Sequence, residues 1–193
     1  MASSPLRKEE ARYTFADYLT WGDDERWEII EGVPYLMSAP SWIHQEKLME
    51  LARQIANFLR GNPCKVFAAP FDVRLFPKED NSDDTVVQPD IVVICDRSII
   101  GGTGCAGVPD MAIEVLSPSS DRHDRLRKFQ LYQKAGVREY WIVDPTTKTL
   151  SVHILKEGEY VINVYGDTDT APVHVLEGLH INLADVFEDM LVT

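Results

Sequence analysis

The sequence is short of several things, and each shortage removes a class of protein. Its three cysteines, Cys64, Cys95 and Cys105, are an odd number without a CxxC pair, which argues against a zinc knuckle and for a reducing cytosol. No apolar run approaches the ~18–20 residues of a membrane span, so no membrane partner is expected. The opening MASSPLRKEEARY has basic residues but no apolar stretch behind them, so no secretory leader is expected either. There is no Pro- or Gly/Ser-rich linker, internal repeat or low-complexity tract, and residues 1–193 read as one cytoplasmic domain. Bases are scarce as well: 19 Lys and Arg face 31 Asp and Glu, a formal net charge of −12. That balance argues against tight, non-specific binding of nucleic acid by bulk electrostatics.

What is present is an ordinary globular composition with an uneven distribution of charge. Hydrophobic residues make up 45% of the chain, enough for a core without staples. Residues 157–193, an acidic extension, hold eight acids and no Lys or Arg, whereas residues 121–139 hold six bases against three acids. A hairpin is expected over 27–37 (WEIIEGVPYLM), turning at Glu31-Gly32. Ser41 caps a helix over 42–60, with Leu48, Leu51, Ile55 and Phe58 on one face. Strands follow at 66–76, 86–96 and 110–117, then the basic helix, capped by Ser119, Ser120 or Asp121 and ending at Gly136. Further strands are expected at 139–144, 149–155 and 160–165. The order implies α/β or α+β: a mixed β-sheet flanked by helices, with an N-terminal hairpin and a β-rich C-terminal extension.

Two carboxylates stand in apolar surroundings. Asp90 opens the run IVVI, and Glu114 sits inside MAIEVL, 24 residues later. An unpaired carboxylate in a buried strand costs several kcal/mol, and a divalent cation removes that cost. Two carboxylates from neighbouring strands are an oxygen-ligand set for Mg²⁺ or Mn²⁺. The alternatives are pairing with an arginine or a place at a strand end.

The basic helix adds a cation. With Leu126 at zero, Phe129, Tyr132, Ala135 and Leu131 span an arc of ~140–300°, and Lys128 falls at ~200°, inside that arc. Asp124, at ~160°, is its i,i+4 neighbour, so a half-buried ion pair along the helix is one reading. The other is that Lys128 leans over the carboxylates, where it helps position water or stabilises charge on a phosphate.

Several ordered segments carry a resemblance: Val87, Pro89 and Asp90 before IVVI; IEVLSPSS (113–120); Asp124, Arg125 and Lys128; KAGV (134–137); and REYWIVDP (138–145). With WEIIEG (27–32) and His44 at a helix start, this set resembles the Uma-type restriction-endonuclease family, once catalogued as a domain of unknown function. The resemblance covers about residues 13–165 of the chain. It implies a PD-(D/E)XK nuclease-like fold in which Asp90 and Glu114 hold Mg²⁺ and a lysine assists the attacking water. The chain departs from that pattern where Leu116 stands two residues after Glu114; the resemblance implies a lysine moved to the following helix, and Lys128 fits it. A further carboxylate is common near such a metal, with Glu28 the first candidate and Glu31 the second. His44 reads more readily as a packing residue than as a catalytic one.

The run Gly102–Gly107 satisfies GxGxxG, but Val-Pro-Asp and a strand follow at once, so a mobile loop is expected instead of a dinucleotide site. The cysteines read as buried or incidental, Trp141 as core, and Trp21, Trp27 and Trp42 as core or interface. The leading expectation is a Mg²⁺-dependent endonuclease acting on DNA, with catalytic residues Asp90, Glu114, Lys128 and Glu28. A homodimer would suit a duplex-cutting enzyme. The rivals are a catalytically inactive nuclease-like binding or assembly module and an enzyme for a small phosphorylated substrate.

Overall fold

The computed structural model describes the backbone of residues 11–22, 24–117 and 122–188, and their side chains except those of 122–125. The expected helix caps at 119–121 and the Asp124 side chain lie outside the described residues. In chain order the elements are α1 (Phe15–Tyr18), β1 (Trp27–Ile30), β2 (Val33–Leu36), α2 (Trp42–Phe58), β3 (Lys65–Ala68), β4 (Asp72–Arg74), β5 (Val86–Val87) and β6 (Ile91–Ile94). Then come β7 (Ile100–Gly101), β8 (Gly104–Ala106), β9 (Met111–Val115), α3 (Arg122–Ala135) and β10 (Glu139–Asp144). The chain continues through β11 (Thr149–Lys156), β12 (Glu159–Gly166), β13 (Thr170–Pro172), β14 (His180–Asn182) and α4 (Leu183–Val186).

Two compact units share these elements. One gathers the residues up to Ala39, Pro70–Gln88 and Ser98–Val108; the other takes Pro40–Ala69, Pro89–Arg97 and everything from Pro109. Of the five points where the chain passes between them, four fall immediately before a proline: Pro40, Pro70, Pro89 and Pro109. Proline has no N–H for a ladder and holds its predecessor in an extended conformation, so it ends one strand and frees the chain for another sheet. This corrects the expectation of single strands over 66–76 and 86–96. Each breaks at its proline into two short strands, β3 and β4, then β5 and β6, which join different sheets.

The first unit is a six-stranded sheet in the order β2-β1-β5-β4-β8-β7. The expected hairpin is there, its turn formed by Glu31 (φ 49°) and Gly32 (φ 79°), two left-handed residues as a tight hairpin demands. The glycine-rich run is not a loop: β7 and β8 pair antiparallel, and β8 pairs parallel with β4. A Cβ on Gly104 would lie 1.9 Å from the carbonyl oxygen of Asp72, so close strand approach accounts for that glycine. Arg74 grips buried Asp83 (Nε to Oδ2, 2.9 Å) and covers the Phe15 ring at 4.1 Å.

The second unit is built on a sheet in the order β12-β11-β10-β9-β6-β3, parallel between β9 and β10 and antiparallel elsewhere. A two-stranded ladder, β13 with β14, accompanies it. Ser41 caps α2, its Oγ accepting from the His44 N–H at 3.2 Å. Leu48, Leu51 and Ile55 of α2 join Ile91, Val93, Ile113, Trp141 and Leu183 in one core. Leu59 takes the place expected of Phe58, which is exposed, as is Trp42, so Trp42 is not a core residue. All four residues of β6 are buried, as an apolar run without alternation requires.

Cys64 and Cys95 are joined by a disulfide, against the expectation of incidental thiols. They flank the rung that pairs Lys65 with Ile94, which makes them cross-strand neighbours over a separation of 31 residues. Cys105 is free and buried, and burial pushes its thiol up to about 12.

Candidate functional site

Register brings the two carboxylates together. Ile91 of β6 faces Ile113 of β9, so the next rung sets Asp90 opposite Glu114, with both side chains on the same face of the sheet. Each is largely covered, at 14% and 13% side-chain exposure. Asp90 Oδ2 accepts from His44 Nε2 at 3.0 Å and from the Val115 N–H at 2.7 Å. Glu114 Oε1 accepts from Lys128 Nζ at 3.0 Å and from the Tyr132 hydroxyl at 2.9 Å.

The supporting elements explain these contacts. Lys128 and Tyr132 are one turn apart on α3, so both reach the same carboxylate from the same side of the helix. Lys128 is buried, as its place within the apolar arc predicts. His44 is in the first turn of α2, a turn fixed by the Ser41 cap. A carboxylate only accepts, so His44 Nε2 carries the proton; Nδ1 is buried and has no partner among the described residues.

The site thus unites Asp90, Glu114 and Lys128, three residues expected from the sequence. It adds Tyr132 and His44, whose side chains donate to Glu114 and Asp90. The signal for Tyr132 was its position four residues after Lys128; His44 was part of the family resemblance, although its place on the apolar face of α2 reads as packing. Glu28 belongs to the first unit, where its buried carboxylate accepts the Gln88 N–H at 2.8 Å. Glu31 occupies the hairpin turn, and its carbonyl accepts from Arg12.

One further buried carboxylate lies outside the expected set. Glu139 of β10 accepts from Trp141 Nε1 and from the Val175 N–H, both at 2.8 Å. Burial raises its pKa above the usual carboxylate range, and these donors partly offset the rise.

A divalent cation fits the Asp90–Glu114 pair on chemical grounds. Asp90 Oδ1 accepts from no described residue, which leaves its lone pairs for a cation. Among the described residues no group of three or more His, Cys, Asp or Glu could hold a metal. Two carboxylates alone are a donor set that Mg²⁺ accepts where water and substrate supply the remaining ligands.

Known proteins share this sequence and architecture. The chain is 27% identical over 157 residues to an uncharacterized Synechocystis protein, slr1290, a match that covers 79% of this chain and 80% of that one. Its fold matches the crystal structure of a protein from Anabaena variabilis, titled a "putative nuclease belonging to DUF820", with a TM-score of 0.74. That likeness, at 22% identity, covers 91% of this chain and 97% of the other, and it establishes a mixed α+β, nuclease-like fold. The model of the Uma2 family, described as "putative restriction endonuclease", matches residues 15–184. The chain belongs to the Uma2 family.

Proposed function

We propose that the protein is a Mg²⁺- or Mn²⁺-dependent endonuclease of the PD-(D/E)XK type, hydrolysing phosphodiester bonds of DNA. The observation that carries this reading is the register pair Asp90–Glu114 with Lys128 Nζ 3.0 Å from Glu114. When bound, the metal supplies Lewis-acid polarisation of the phosphate and a lower pKa for water. Asp90 and Glu114 hold it, and His44 and the Val115 N–H fix the angle at which Asp90 presents its remaining oxygen. Lys128 keeps a positive charge beside the carboxylates, where it orients the attacking water or stabilises charge developing on the phosphoryl oxygens. Tyr132 shares Glu114 with it and sets the height of that carboxylate. Glu28 acts one step back, since it fixes Gln88, two residues before Asp90 in the chain. Contact with DNA is local to α3 and its flanks, because the chain as a whole carries −12, and it weakens steeply with salt.

Nicking of plasmid DNA in the presence of Mg²⁺ or Mn²⁺ tests the assignment. Wild type is expected to nick and Glu114→Ala to be inactive; activity surviving in Glu114→Ala would overturn the reading. A second reading, a nuclease-like module without catalysis, is favoured by one observation. Both carboxylates already have a cationic or potentially cationic partner, Lys128 and His44. Calorimetric titration with Mg²⁺ and Mn²⁺ separates the two, since the module binds neither metal specifically.

A homodimer is part of the proposal, built on the free edge of β12. The outward backbone groups of an edge strand alternate with those that pair. Tyr160 and Gly166 turn their N–H groups away from β11, to Gln133 Oε1 at 3.4 Å and Asp169 Oδ2 at 2.7 Å. Ile162 and Val164, of the same parity, turn theirs outward too, and their side chains are 52% and 65% exposed. From Tyr160 to Gly166 the strand bears no charge, which matches it to a second copy of itself in an otherwise acidic chain.

A further inference from the structure

The first unit contains a cleft of about 520 Å³ that the proposed chemistry does not use. Tyr18, Trp21 and Trp27 form its aromatic side, with ring centroids 5.4 Å apart for Tyr18 and Trp21 and 5.8 Å for Trp21 and Trp27. Its size lies in the range of small-molecule sites.

The polar side is a network whose directions are fixed. Asp72 only accepts: Oδ1 from the Tyr18 hydroxyl and from Gln88 Nε2, both at 2.8 Å, and Oδ2 from Thr103 Oγ at 2.9 Å. Gln88 must therefore turn its amide nitrogen to Asp72 and its oxygen to Arg26, whose Nε and Nη2 donate at 3.0 and 2.8 Å. Glu28 holds the Gln88 backbone from behind, so the amide is pinned at both ends. Burial, and the Asp72 charge after it, raise the Tyr18 pKa and keep that hydroxyl a donor.

The consequence falls on Arg26. It donates to a neutral amide oxygen, and among the described residues no carboxylate forms an ion pair with it. A chain with 31 acids has placed an arginine without an acidic partner beside three aromatic rings. A rigid guanidinium that keeps donors to spare recognises phosphate, and exposed aromatic faces stack bases of any sequence.

We propose that this cleft binds one nucleotide of the substrate strand, with the phosphate on Arg26 and the base against Trp21 and Trp27. The inference rests on the nuclease reading for the identity of the substrate. It adds a binding site separate from the metal ligands, with Arg26 and Trp21 as its recognition residues. The chain run Gln88-Pro89-Asp90 then carries both a cleft residue and a proposed metal ligand.

Tryptophan fluorescence of the full chain, in the Glu114→Ala background with EDTA present, tests the site without any catalysis. Titrants are dAMP, TMP, deoxyadenosine, deoxyribose 5-phosphate and inorganic phosphate. Saturable quenching by dAMP and TMP is expected. Arg26→Gln should weaken both by about tenfold and leave deoxyadenosine unchanged, the loss of one charge-assisted contact, while Arg26→Lys retains most of the affinity. Trp21→Leu, a change at a partly exposed ring, should weaken dAMP and deoxyadenosine alike; it serves as the test if Arg26→Gln fails to fold. Absence of saturable quenching would overturn the proposal. So would equal binding of inorganic phosphate and dAMP, because the rings would then contribute nothing. Nucleotide binding by a protein that nicks no plasmid would keep the cleft and remove the nuclease reading; nicking without nucleotide binding would do the reverse.

Discussion

Lys128 Nζ and Glu114 Oε1 stand 3.0 Å apart although they lie fourteen positions apart in the chain, on α3 and β9. The two side chains are 8% and 13% exposed. A pair so covered is weak evidence for stability, since desolvation of two charges consumes much of their attraction. It is better evidence for a purpose, because an apolar pair would have packed there at lower cost. The resemblance implies a lysine two residues after the acid on the same strand, where Leu116 stands; the cation beside Glu114 comes from α3.

Lys128→Met should lower the nicking rate by about 10²–10⁴, the usual contribution of a positioned proton-transfer or charge-stabilising group. Stability should fall as well, by about 3 kcal/mol, since Glu114 is left charged with less compensation. The double variant Lys128→Met/Glu114→Gln separates these effects. Its urea midpoint should recover towards wild type while its activity stays absent. Recovery of activity in the double variant would remove Lys128 from the mechanism.

His44 acts on Asp90 from the first turn of α2. His44→Ala removes the Nε2 donor and leaves Asp90 Oδ2 with the Val115 N–H alone. Loss of a group that orients a ligand typically costs about 10–100-fold in metal affinity. Calorimetric titration with Mn²⁺ should show that loss with no change in the number of ions bound. An unaltered affinity would reduce His44 to packing.

How much of this was legible in the sequence depends on how local each signal was. Ile91–Ile94 and Glu139–Asp144 announced buried strands because their apolar runs lie within one element. Lys128 was legible because a helix wheel needs only the helix itself. The division of 66–76 and 86–96 between two sheets was missed, although Pro70 and Pro89 mark it; a proline within an apolar run reads as an edge until the partner strands are known. Gly104 read as loop because its reason is the Asp72 backbone, 32 residues upstream. The Cys64–Cys95 bond and the covered carboxylate of Glu139 depend on strand register, which no spacing in the sequence encodes. That Asp90 and Glu114 belong together was legible from the two apolar strands that carry them, and the Uma-type resemblance pointed to the same pair.

His153 gives the fold a pH dependence of known sign. It is buried against Phe129, Tyr140 and Tyr160, and Nδ1–H donates to the Tyr140 carbonyl at 3.0 Å. Burial lowers its pKa, so the imidazole stays neutral in the fold after the unfolded chain has begun to bind a proton at about pH 6.5. The stabilisation is present above that value and is lost as pH falls towards the depressed folded pKa, by at most ~1.4 kcal/mol per pH unit. Urea midpoints at about pH 7.5 and 5.5, either side of the ordinary histidine value, should converge for His153→Phe relative to wild type. An equal pH loss in both proteins would place the titration elsewhere.

The β12 edge makes the strictest demand on geometry. A two-fold axis through Asn163 sets Ile162 of one copy against Val164 of the other, so that the outward N–H and C=O groups of both residues pair across the interface. The ladder ends at that rung, because the next outward pair on either side is Tyr160 with Gly166, whose N–H groups already donate to Gln133 and Asp169. Light scattering should therefore give twice the chain mass, and Val164→Lys should return the monomer by placing like charges near the axis. Asn163→Cys should cross-link to its own copy under mild oxidation, since facing residues of a non-hydrogen-bonded antiparallel pair are close enough for a disulfide. The new bond is distinguished from the existing Cys64–Cys95 bond by doubled mass on a non-reducing gel. A wild-type monomer at all concentrations would remove the dimer. A dimer that survives Val164→Lys, with no cross-link at position 163, would move the interface away from β12 and leave its apolar edge without this explanation.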